Sequence, residues 1–420
     1  MHQNDLIHDW NTEQQGFDYT TCRVELNDET LRDGLQSPSV IDPPMAAKIE
    51  LLHLMGDLGI HAADIGLPGA GARAVEQVRT LAREIVSSRL AIQPNCAART
   101  VIKDVEPIVR ISQEVGIAIE AATFIGSSAI RQYAEDWSLD RMLRASEEAV
   151  GFAVQQGLPV MYVTEDTTRA HPDTLKALYG NAIRWGARRL CLADTVGHAT
   201  PAGVTRLVRF IKEEIVKPSG ESVKIDWHGH RDRGLGIANC LAAIEAGVDR
   251  VHGTAVGIGE RVGNAEMDQL LVNLKLLGAH QHDLSKLATY CRTAAESTGM
   301  PIPINYPVVG LDAFRTATGV HASAIIKAKL KGDLWLADRV YSSVPATEFG
   351  LCQIIEISPL SGLSNVKYWL AEHGYDPDDG VISQALFQAA KTADRVLAES
   401  ECHRLIAALR ASGNEADVRS

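Results

Sequence analysis

The feature that most constrains this chain is an eightfold alternation of short β-like runs with helical patterns. The β-like runs fall at 22–27, 62–66, 90–94, 117–123, 159–164, 189–193, 223–227 and 249–254. Between them, apolar residues recur at helical spacing. One such stretch is 44–58, with Ile49, Leu51, Leu52, Leu54 and Met55; others are 138–155, 201–215 and 235–246. Thr200 followed by Pro201 reads as a helix start, a hydroxyl cap ahead of a ring locked at helical φ. Strand–helix repeats imply parallel strands joined by right-handed crossovers. Eight of them imply an α/β fold, a closed (β/α)8 TIM barrel. An open doubly wound sheet fits less well, because no Gly-rich dinucleotide loop follows the first strand.

A chain of 420 residues accommodates one such barrel plus appendages. After about residue 280 the alternation stops. Residues 283–298 have a helical pattern, 301–307 form a proline-rich connector and 308–370 are mixed. A last helical stretch spans 382–409, with Leu386, Ala389, Ala390, Ala393, Val396 and Leu397 in step. The expected organisation is a tail over 1–20, a barrel over 21–280, a mixed and helical auxiliary subdomain over 281–370 and a helical C-terminal segment over 371–420. Residues 1–19 have no apolar signal-peptide core, and no stretch is apolar for long enough to span a bilayer. A net charge of −12 argues against a nucleic-acid surface or a polybasic membrane contact. The seven cysteines are scattered without a paired zinc spacing, which suits buried thiols in a reducing cytoplasm.

A barrel puts its chemistry at the C-terminal ends of the strands. The polar residues expected there are Arg32 and Asp33 after the first strand, and Asn95 and Arg99 after the third. Glu165, Asp166 and Arg169 follow the fifth, Asp194 and Thr195 the sixth, His228 and His230 the seventh, and 257–264 the eighth. Side chains two positions apart leave one face of a strand about 6–7 Å from each other. His228 and His230 can therefore close on one divalent metal, with Asp33 as a third ligand. A His-x-His pair can equally be two solvated or hydrogen-bonded histidines.

Three blocks considered together go further: Leu31-Arg32-Asp33-Gly34-Leu35-Gln36, His228-Gly229-His230-Arg231-Asp232, and Gly257-Ile258-Gly259-Glu260-Arg261-Val262-Gly263-Asn264. The set resembles the acyl-CoA carboxymethyl transferases, the isopropylmalate, homocitrate and citramalate synthases. These belong with hydroxymethylglutaryl-CoA lyase in the DRE-TIM metallolyase superfamily. The smaller blocks 164–169 and 193–197 agree, and the resemblance covers residues 22–365.

The resemblance implies a Claisen-type condensation of acetyl-CoA with a 2-oxo acid. It implies Asp33, His228 and His230 as ligands of Mg2+, Mn2+, Co2+ or Zn2+, with Asn264 a direct or water-mediated ligand. Arg32 would steady the keto oxygen or enolate, and Gln36 would contact substrate. Thr195 would bond the substrate carboxylate, or cap the next helix. Glu165 is similar to an active-site glutamate of the family; Arg169 would hold a carboxylate or pair with Glu165 or Asp166. Gly257, Gly259 and Gly263 would let the backbone approach the metal and thioester. His321, within 318–325, resembles the general base, with Tyr341 assisting. In the family that segment reaches over the barrel mouth of a partner subunit, so a homodimer is expected.

This sequence departs from the family at Arg231, where Asn is usual; the extra cation would meet a second anionic group on the substrate or point outward. Arg131 offers a contact to a distal carboxylate, as in homocitrate synthases. A lyase would need a cysteine in the loop after the eighth strand, and 257–264 has none. The expected acceptor is 2-oxoisovalerate, as in leucine biosynthesis, followed by 2-oxoglutarate and then pyruvate. Only about fifty residues follow the auxiliary segment, so feedback by leucine through an appended regulatory domain is not expected.

Overall fold

The computed structural model describes residues 6–11 and 16–417. Of the tail expected over 1–20, residues 1–5 and 12–15 lie outside the described residues. The chain divides into two compact units, 1–301 and 302–420.

The first unit is a closed barrel of eight parallel strands in sequence order. They are β1 (Glu25–Asp28), β2 (Ala62–Asp64), β3 (Gln93–Arg99), β4 (Glu120–Gly126), β5 (Val160–Glu165), β6 (Arg189–Asp194), β7 (Lys224–Gly229) and β8 (Arg250–Gly253). Closure is made by β1 against β8, with Leu26 opposite Val251 and Asn27 opposite His252. The strands are buried almost throughout, because side chains facing out meet helices and those facing in meet each other. Ala122, Met161 and Cys191, with Val163, pack inside the barrel. All seven cysteines are free, and five are buried. Among the described residues no helix is long and apolar enough to cross a membrane.

The N-terminal end of the barrel is charged. Glu25, Glu120, Arg189 and Arg250 are the first residues of β1, β4, β6 and β8. Arg250, fully buried, meets Glu120 and Asp226 at 2.6 Å each. Arg189 reaches Asp226 at 2.7 Å, Glu25 at 3.1 Å and Glu120 at 3.2 Å. Removing one partner from so buried a network leaves an uncompensated charge, at a cost of about 3–5 kcal/mol.

Several expected boundaries move. β3 starts and ends later than 90–94, because its last five residues pair with Glu120–Phe124 of β4. Asn95 is therefore inside the barrel rather than beyond the strand, and its amide donates to Asn27 at 2.6 Å. The helix Pro201–Ile211 is capped by Thr200 as expected, and then widens into a π-helical segment, Lys212–Val216. The helix Leu287–Thr298 packs on Met45–Asp57 and sends Tyr290 to Asp28, so the first unit extends beyond residue 280 to Pro301.

The second unit has a two-residue strand pair, Arg315–Thr316 with Ile354–Ile355, and helices including Gly319–Leu330, Leu363–Glu372, Gly380–Thr392 and Glu399–Asp417. The expected single helix over 382–409 is two. Between them Leu397 donates its N–H to the Ile357 carbonyl at 2.8 Å, while Glu401 accepts from Ala398 N–H and from Arg395. Those bonds leave the helical ladder and cap the final helix instead. Trp369, Leu370, Leu386, Cys402 and Ile406 form the core that joins the helices.

Candidate metal centre

Asp33 sits just past β1 at the start of a 3-10 turn, Gly34–Gln36. His228 lies inside β7, and His230 just beyond it is held in an isolated antiparallel bridge with Asn264. The period of two along β7 carries Asp226, His228 and His230 on one face. Closure of the barrel then brings both imidazoles to one carboxylate. Asp33 Oδ2 is 3.4 Å from His228 Nε2 and 3.4 Å from His230 Nε2. All three side chains are buried or nearly so.

These distances are longer than a normal N–H···O bond. They match instead the separation of about 3.3 Å between ligands bound tetrahedrally at about 2.0–2.1 Å to one ion. Burial alone would push the Asp33 carboxyl up, yet Arg32, then His230 and His228, hold it down at about 2. It is an ionised carboxylate at neutral pH. Asn264 donates its amide to the Ile258 carbonyl at 3.2 Å, and its Oδ1 is buried without a hydrogen-bond partner. A buried carbonyl oxygen left free suits a cation better than an empty interior. The donor set fits a divalent metal with open positions.

The residues that position these groups were missed in the sequence. Glu29, buried three residues before Arg32, bonds the Arg32 guanidinium and His252 Nδ1, the latter at 2.6 Å, and its carboxylate stands 3.4 Å from His228 Nδ1. It thereby orients His228 with Nε2 toward Asp33, as the outer carboxylate of a metal-bound histidine does. His252 Nε2 in turn meets Asp226 at 3.0 Å, which continues the chain to the charged end of the barrel. Burial opposes ionisation of Glu29, but Arg32 and His228 outweigh it and hold the carboxyl well below its usual range. Asp64, at the end of β2, bonds Arg32 Nε at 2.8 Å. Its own carboxyl is pushed up to about 6 by burial, against the pull of Arg32. Strand spacing was the available signal: Asp226 stands two before His228, and His252 and Asp64 end or nearly end their strands.

The cavity over this cluster holds about 190 Å³. Its polar wall includes Arg32, Asp33, Gln36, Glu165, Thr195 and Glu260. Its apolar wall includes Leu67, Ala97, Ala122, Phe124, Met161 and Val163. Thr195 Oγ1 accepts from Asp166 N–H at 2.8 Å, so its own proton points elsewhere. It does not cap a helix; Thr200 does. The Glu165 carboxyl is raised by burial, against the opposing charges of Arg131 and Arg32.

Other expected residues are held elsewhere. Arg169 makes a bidentate pair with Asp166, both bonds 2.7 Å, and does not line the cavity. Arg131 pairs with Glu135 at 3.2 Å and lines a second cavity of about 370 Å³, which shares Phe124 and Glu165 with the first. Arg231 bonds Glu266 and the Val262 carbonyl, so the extra cation braces the loop. The loop glycines pack closely against that loop and its brace. A Cβ on Gly263, at φ +92°, would lie 1.8 Å from the Gly257 carbonyl, and one on Gly259 would lie 2.3 Å from the Asn264 amide. In the second unit, the rings of His321 and Tyr341 lie 4.2 Å apart, both exposed.

Comparison with known proteins matches the HMGL-like family model over residues 23–293. The chain belongs to the HMGL-like family. This HMGL-like chain is 31% identical to the homocitrate synthase AksA of Methanopyrus kandleri, over 89% of its own length and 88% of that protein. It is 29% identical to the 2-isopropylmalate synthase of Sulfolobus acidocaldarius, over 90% and 93% of the two chains. These relatives are synthases, and this HMGL-like chain is an enzyme of their class. Its fold is similar to the HMG-CoA lyase of Bacillus subtilis, with a TM-score of 0.56 and 20% identity, covering 68% of this chain and 96% of that one. At that identity the likeness concerns the fold alone.

Proposed function

We propose that this enzyme condenses acetyl-CoA with a 2-oxo acid, with 2-oxoisovalerate as the acceptor and 2-isopropylmalate and CoA as products. The observation that carries the reading is the meeting of Asp33, His228 and His230 beside Arg32, under a wall that is otherwise aliphatic and aromatic. A small apolar side chain on the acceptor suits Ala97, Ala122, Met161 and Val163. Asp33, His228, His230 and Asn264 would hold a divalent cation, which when bound would supply Lewis-acid polarisation of a keto group.

The chain's own residues do the rest. Arg32, fixed by Glu29 and Asp64, presents a set positive charge where the alkoxide develops. Thr195 offers its hydroxyl proton to the substrate carboxylate, and Gln36 borders the same space. Glu165, raised by burial, is placed to exchange a proton within the cavity. His321, with Tyr341 beside it, is the base that takes the methyl proton of acetyl-CoA. The carbanion bonds to the keto carbon, the keto oxygen gains a proton, and water then cleaves the thioester to release CoA. In this reading His321 acts on the barrel of a second subunit, the protein working as a cytoplasmic homodimer.

A second acceptor, 2-oxoglutarate, is favoured by Arg131 in the cavity adjoining Glu165 and by the homocitrate synthase relative. Free-thiol release from acetyl-CoA, measured with 2-oxoisovalerate, 2-oxoglutarate and pyruvate, decides between them. EDTA should abolish the release. Thiol release without any 2-oxo acid, or undiminished by EDTA, would remove the proposal.

A further inference from the structure

The second unit carries a further cluster of side chains of metal-ligand type. Glu399 and His403 lie four residues apart in the first turns of Glu399–Asp417, and so project from one face of that helix. His373 ends the helix Leu363–Glu372 as its C-cap. Packing of the two helices brings the three together. Glu399 Oε1 stands 3.6 Å from His373 Nε2 and 3.4 Å from His403 Nε2, and the two imidazole centroids are 5.6 Å apart.

The spacing repeats that at Asp33, and the hydrogen bonds behind the rings show why it matters. His373 Nδ1 bonds the Trp369 carbonyl at 2.8 Å. A carbonyl only accepts, so Nδ1 carries a proton and Nε2 is the nitrogen turned toward the Glu399 carboxylate. A cation between Nε2 and the carboxylate, proton or metal, makes that contact favourable. His403 Nδ1 is bonded to the Tyr375 hydroxyl at 2.7 Å, which also directs Nε2 at Glu399. Both rings are thus oriented from behind, as metal-bound histidines are. Trp369 holds the arrangement rigid: it stacks on His373 at 3.9 Å and is itself buried. The histidines are partly exposed and Glu399 is open to solvent, so an ion has access and a position remains for water.

We propose that His373, Glu399 and His403 form a second metal site, which takes a transition ion of the Zn2+ class and staples the final helix to Leu363–Glu372. Two imidazoles and one carboxylate select Zn2+, Co2+ or Ni2+ over Mg2+ or Ca2+. The site is separate from the barrel's, and its role is structural.

The full-length chain tests it, with Co2+ as the probe and visible d–d absorption as the readout. The His228→Ala variant removes the barrel site and should still bind one Co2+, with a Kd of about 10 μM or tighter. Adding His403→Ala, or the milder surface change Glu399→Gln, should abolish that band. In the otherwise unchanged enzyme, Glu399→Gln should lose one metal equivalent and keep thiol release at its normal rate. Zn2+ should raise the melting temperature of His228→Ala and leave that of His228→Ala/Glu399→Gln unmoved. A proton between the groups, rather than a metal, is the answer if His228→Ala takes up no Co2+, or if Glu399→Gln changes neither stoichiometry nor the Zn2+ effect; either result overturns the site.

Discussion

Replacing Glu29 with Gln is the sharpest test of how the barrel site is held. Gln keeps the volume and removes the charge. One oxygen of Glu29 serves His252 and His228, and the other serves Arg32. If the amide oxygen stays with the histidines, the amide NH2 confronts the Arg32 guanidinium, donor against donor. If it turns round, His228 and His252 lose their acceptor. A hydrogen bond to a charged group contributes about 1.5–3 kcal/mol in either case. At 1.4 kcal/mol per decade that predicts metal binding about 10–100-fold weaker, the range for loss of an outer-shell partner. Competition against a chromophoric chelator reads the affinity, kcat/KM follows in parallel, and circular dichroism checks the fold. A purely structural Glu29 would lower the melting temperature and leave metal affinity alone. Affinity within about threefold of the parent, in a folded variant, would refute the orienting role.

Asp33→Ala or His228→Ala should remove barrel-site metal and thiol release together; metal analysis of the purified variants, read beside turnover, checks it. His321→Ala should keep that metal and lower kcat by about 100-fold or more, as loss of a general base does; unchanged turnover would return the base assignment to the cavity residues. Asp28 gives a pH prediction. Burial pushes its carboxyl up to about 6, against bonds from Tyr290 and Thr30. The unfolded carboxyl ionises near 3.9, so between about pH 4 and 6 the unfolded chain releases a proton that the folded one retains. Folded stability owed to Asp28 therefore falls as pH rises through that window and is level above it. The melting temperature of the parent minus that of Asp28→Asn should fall from pH 4 to 6 and then hold, whereas a difference constant across the window would contradict the assignment.

Sequence patterning alone determined the barrel, because eight alternations of short β-like runs with stretches of 3.6-residue period admit few closed solutions. It also brought Asp33, His228 and His230 into one argument, since same-face spacing on a strand is a local property. Helix starts such as Thr200-Pro201 were legible for the same reason. Only the tertiary structure decided which charges face which. Glu29, Asp64 and His252 are unremarkable in sequence, and become positioning groups when closure of β1 against β8 buries them around Arg32 and His228. Arg169 reads equally well as a substrate contact or an internal ion pair, Arg131 as a contact to a distal carboxylate and Arg231 as meeting a substrate anion or pointing outward, until Asp166, Glu135 and Glu266 stand beside them. The break between Thr392 and Glu399 was hidden too, since Leu397 leaves the helix for a carbonyl forty residues away in sequence. Periodicity records what each segment buries; it carries no record of the partner a charge meets once distant segments are brought together.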